Sequence, residues 1–75
     1  MSMESQELRE YLLQSDAEFR ALSTTHHQLD QRLNEIAIKA HPSEHEQIEE
    51  VTLKKRKLQL KDRMEDILRR HRSLV

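Results

Sequence analysis

The sequence predicts an all-α fold: an antiparallel, coiled-coil-like two-helix hairpin with a short N-terminal helical segment, assembling into a helical bundle. Three observations carry this. The 75 residues contain no glycine and one proline, and Leu, Glu, Lys, Arg, Gln and Ala dominate. Those are good helix formers, whereas sheets need glycine-type turn chemistry at short intervals. Apolar residues recur with a seven-residue period, the pattern of a helix that shows one narrow seam to a partner. Charge is divided along the chain: residues 1–53 hold 4 basic and 11 acidic side chains, net −7, and residues 54–75 hold 9 basic and 3 acidic, net +6. The chain as a whole carries −1, and this low net charge with its strong periodicity separates it from disordered sequences.

The elements follow in order within a single domain, 1–75. Leu8, Leu12, Ser15, Phe19, Leu22, His26, Leu29, Leu33, Ile36 and Ala40 alternate steps of 4 and 3. Residues 5–14 form a short helix, kinked from or continuous with helix one over 16–40. Ser15-Asp16-Ala17-Glu18 reads as a capping box that starts helix one at Asp16. Pro42 disfavours helical geometry at His41 and lacks a backbone donor. Ser43 with Glu46 reads as a second capping box. The turn is therefore 41–43, and helix two runs over 44–72. So short a turn makes the helices antiparallel.

Helix two has its own seam: Leu53, Lys57, Leu60, Met64, Ile67, His71 and Leu74. Folding the chain about Ser43 sets Leu33 against Leu53, Leu29 against Lys57, His26 against Leu60, Leu22 against Met64, Phe19 against Ile67, and Leu12 against Leu74. The rival seam would set Asp62 against Leu22 and Glu65 against Phe19. Burying unpaired carboxylates is costly, which rejects it. Charges fit the chosen register. Asp30 flanks Lys54 and Lys61, Glu18 flanks Arg63 and Arg70, and Arg32 lies near Glu49. Lys57 packs its stem in the seam and sends its ammonium to water.

The stretch "LKKRKLQLKDRMEDIL", residues 53–68, closely resembles the end of the YdcH-like family, small bacterial proteins built on a domain of unknown function. Phe19, Leu22, His26, Leu29-Asp30 and Ile36 resemble that family's upstream pattern, so the resemblance covers about residues 8–70. It implies a helical hairpin in a bacterial cytoplasm and supplies no catalytic residues. Relatives often carry a proline near Ala17, which this chain lacks.

Chemistry has few footholds. Without cysteine there is no disulfide and no zinc–thiolate site. A cysteine-free chain suits a reducing compartment. Met1-Ser2-Met3-Glu4 does not read as a secretory signal, no apolar stretch reaches membrane-spanning length, and the expected location is cytoplasmic. His41 and His45 are four apart, but Pro42 lies between them and no third ligand is evident, so no metal site is expected. Phosphate loops need glycine, and two helices enclose no water-free pocket for a nucleophile and base. No enzyme activity, cofactor or small-molecule substrate is expected.

Binding remains. Ala37, Val51, Leu58 and Leu68 border the seam on one side, where two helices cannot cover them all. A contiguous exposed apolar stripe marks a partner site. A hairpin this small also gains from further burial. The first expectation is thus an interaction or oligomerisation module, associating with itself and with another protein. The alternative is a weak nucleic-acid-binding accessory. Its anion contacts would be Lys54, Lys55, Arg56, Arg69, Arg70 and Arg72. Near-zero net charge and the lack of aromatics for base stacking weigh against it.

Overall fold

The computed structural model describes residues 2–74, with side chains from 6 to 73. The regular structure among the described residues is all α-helical: α1 (Ser2–Ser15), α2 (Ala17–Ala37) and α3 (Glu44–Leu74). The body measures 48 × 21 × 18 Å. Pairs joining the two long helices run in reverse order along them: Arg32 with Glu49, Asp30 with Lys57, and Glu18 with Arg63.

The break between α1 and α2 falls at Asp16, whose backbone is extended at φ −117° and ψ 110°. Its Oδ1 accepts from the Phe19 N–H at 2.9 Å, satisfying one of the free donors of the new helix. Asp16 is therefore the cap, where the sequence pointed to Ser15. The Ser15 hydroxyl donates backwards instead, to the Tyr11 carbonyl at 2.7 Å. The helix breaks here without a proline. The N-terminal segment is a separate helix, longer than 5–14.

That redirection positions the core. Leu12 from α1, Phe19 from α2, and Met64, Ile67 and Leu68 from α3 form one buried cluster, with Leu8 and Leu22 packed against it. Arg9 fixes α1 to α3 through Glu65 at 2.6 Å. Leu68, expected on a free partner face, is fully enclosed here. The reason is the third helix: α1 lies over the stripe that a two-helix layer would leave open. The proposed contact of Leu12 with Leu74 lies outside the described side chains.

At the other end α2 stops at Ala37, three residues short of expectation, and residues 38–43 make the turn in place of 41–43. Ile38 N–H donates to the Asn34 carbonyl and Lys39 N–H to that of Ile36, tightening the last turn. Ala37 and Ala40 are exposed, so continuing the helix through them would bury nothing. Pro42 also disfavours helical geometry just before it. Ser43 and Glu46 exchange bonds: Ser43 N–H donates to Glu46 Oε1 at 2.9 Å, and Glu46 N–H to Ser43 Oγ at 3.1 Å. This starts α3 at Glu44. The helix continues past Arg72 to Leu74 because nothing there breaks it, and His71 and Arg72 complement the dipole of its last turn.

Candidate interaction surface

The seam residues fall into two groups. Leu12, Phe19, Leu33, Met64 and Ile67 are buried, as is Ile36. Leu22, His26, Leu29, Leu53, Lys57 and Leu60 are half-buried. The Leu74 side chain is outside the described set. Five buried residues thus cluster where three helices meet, while along the two-helix stretch Leu33 and Ile36 near the turn are buried and the remaining seam residues are half-buried.

Beside that stretch, α3 carries an outward stripe at steps of 4 and 3: Glu44, Ile48, Val51, Lys55 and Leu58. Ile48 is 64% exposed, Val51 55% and Leu58 58%. Glu44, Gln47, Ile48, Val51 and Thr52 line one open groove. The four expected partner-face residues therefore separate. Val51 and Leu58 share the stripe, Ala37 is exposed near the turn, and Leu68 belongs to the core. Ile48 lies on the same stripe and was missed as a partner residue; its spacing of three from Val51 was the available signal.

Ion pairs hold α2 and the turn to α3. Arg32 donates from Nε and Nη2 to the two Glu49 oxygens, each at 2.8 Å, and from Nη1 to Glu35 at 3.0 Å. Hydrogen bonds from Arg32 hold the Glu49 carboxyl below its ordinary range, and Glu49 raises the Arg32 guanidinium in turn. Lys39 donates to Glu46, which also accepts from the Ser43 N–H. With Lys39 the larger cause, these bonds hold Glu46 at about 2, against an ordinary 4.5. Lys57 bonds Asp30 and lowers its carboxyl. Asp30 was expected to meet Lys54 and Lys61, and the Lys57 ammonium to reach water. Lys57 instead reaches across the seam to Asp30, while Lys54 pairs with Glu50 one turn back, at 3.1 Å. Glu18 accepts from Arg63 at 2.7 Å and raises it.

The candidate anion contacts are not gathered into one site. Lys54, Lys55 and Arg56 are consecutive and exposed, so they point in successive directions around α3. Arg69, Arg70 and Arg72 are exposed roughly 20 Å further along the helix. Lys54 is paired with Glu50, and Arg70 lies 3.9 Å from Asp66. A separate cleft between the helices is lined by Arg9, Ser23, His26, Lys57, Lys61, Met64 and Glu65. Two of its cations are already engaged, Arg9 by Glu65 and Lys57 by Asp30. Sequence reasoning missed Arg9, because its position depends on how sharply the chain turns at Asp16.

His41 and His45 are both exposed, and among the described residues no three His, Cys, Asp or Glu side chains converge as a metal site would require. No helix among them is long and apolar enough to cross a membrane. A family model described as "Protein of unknown function (DUF465)" matches residues 19–68, two-thirds of the chain. No curated protein and no solved structure matches.

Proposed function

The chain belongs to this DUF465, or YdcH-like, family, and we propose that it serves as a protein-interaction and oligomerisation module without catalytic activity. In this reading α2 and α3 form a stable helical hairpin, braced by α1, that presents the outer face of α3 to a protein partner in the cytoplasm. One observation carries the reading: Ile48, Val51 and Leu58 stand on a single stripe, each more than half exposed, beside a layer too thin to cover them. Large exposed apolar side chains in register are characteristic of helix surfaces that pack on other helices. The sequence lacks the glycine that a phosphate-cradling loop requires.

The test compares two sets of substitutions at constant helicity by circular dichroism. Val51→Asp and Leu58→Asp are expected to abolish association, read as molar mass by light scattering and as loss of any co-purifying protein. Lys54→Glu and Arg56→Glu together, which leave the stripe residue Lys55 in place, are expected to leave it intact. The opposite pattern, joined to a steep fall of DNA or RNA affinity with salt, would replace the interaction reading with the nucleic-acid one.

A further inference from the structure

We propose that the outer face of α3 docks a second copy of this chain, with the two α3 helices antiparallel about an axis midway between Ile48 and Val51. This rests on the reading of that face as an interaction surface and names its occupant and register. The argument is one of self-complementarity. A two-fold interface must pair a surface with itself. Two antiparallel registers keep the 4–3 stripes in phase while setting different apolar residues against one another. One places Ile48 opposite Val51 of the second copy. It then sets Glu44 opposite Lys55, and by symmetry Lys55 opposite Glu44, so opposite charges flank the apolar centre at both ends. The other places Ile48 opposite Leu58. That register sets Val51 against Lys55 and Glu44 against Asp62, a repulsive carboxylate pair.

The first register also fits the local surface. Gln47 and Thr52, which line the same groove as Glu44, Ile48 and Val51, fall opposite each other. Glu44, Lys55 and Leu58 are all exposed and available. Leu58 of each copy reaches the level of the partner copy's turn, where Ile38 is 84% exposed. The stripe from residue 44 to 58 is only about 21 Å long, so the dimer is modest and dissociates on dilution.

The experiment is sedimentation equilibrium on the full chain and three variants, Glu44→Lys, Lys55→Glu and the double exchange. Each single variant is expected to raise the dimer dissociation constant about tenfold, because like charges then meet twice across the axis. The double exchange restores the pairing and returns the constant to within about threefold of the original. Lys55→Glu lies mid-helix and carries the test if Glu44→Lys loosens the helix N-terminus. Tighter association of Glu44→Lys, or no recovery in the double variant, overturns the register. A chain that stays monomeric up to millimolar concentration overturns the second copy as occupant. In that event, loss of a co-purifying protein on Val51→Asp leaves the interaction reading standing. No change on Val51→Asp removes both.

Discussion

Leu68 and Leu58 lie on the same helix, yet the first is closed from solvent and the second is 58% exposed. What differs is the number of helices around them. At Leu68, α1 folds over the α2–α3 layer and brings Leu12 into the cluster with Phe19 and Ile67. Leu58 stands on the outward stripe of α3, which neither α1 nor α2 covers. The contrast teaches that the bend at Asp16 decides which apolar residues become core and which remain available to a partner.

The sharpest way to break the comparison is Phe19→Ala. Removing a buried aromatic from the three-helix end is expected to cost about 3–5 kcal/mol. Chains of this size are stable by only roughly 4–11 kcal/mol. Urea denaturation should therefore show a variant near the edge of folding. Leu68→Ala follows, at about 2–5 kcal/mol, whereas Leu58→Ala on the open stripe should stay within about 0.5 kcal/mol, measured where the chain is monomeric. Equal losses at Leu58 and Leu68 would erase the distinction between the two regions.

Smaller effects sharpen it. Asp16→Ala and Ser43→Ala each remove a helix cap and should cost about 1 kcal/mol. The Asp16 variant should in addition raise amide exchange in α1, because the bend that seats Leu12 is loosened. The Ser43 variant should leave α1 exchange unchanged.

The smallest effect is that of acid. Asp30, Glu46 and Glu49 have folded pKa values below their ordinary ones, with Glu46 near 2. Their stabilisation is complete above the unfolded values, near 4 to 4.5, and is lost as pH falls through the folded ones. Arg32 and Arg63 are shifted upward and stay protonated throughout. Melting temperature should therefore be flat from pH 7 to about 5 and decline between about 4.5 and 2. The decline should shrink in a Lys39→Met variant, which removes the larger of the two bonds that hold Glu46 down and leaves that from the Ser43 N–H.

Much of the fold was legible in particular residues. The absence of glycine and the heptad spacing specified helices. Ser43 and Glu46 marked the start of α3, because a capping box is a local arrangement set by four consecutive positions. The end of α2 was not legible in this way. Ala40 fits the 4–3 spacing, but an alanine facing water adds too little burial to hold a helix together. Leu68 was misplaced for a different reason. Whether α1 continues along α2 or folds over α3 depends on one backbone angle at Asp16, and periodicity carries no information about that angle. The outward stripe was half legible. Val51 and Leu58 stand out as leftovers of the seam, while Ile48, one step of three before Val51, was overlooked.

Thiol labelling of single cysteines tests the central claim most directly, since the native chain has none to interfere. At high dilution, Leu58→Cys is expected to react like a free exposed thiol and to slow as concentration rises. Leu68→Cys should stay protected at every concentration where the chain is folded. Equal labelling rates at the two positions, or faster labelling at residue 68, would contradict a closed three-helix end beside an open interaction face.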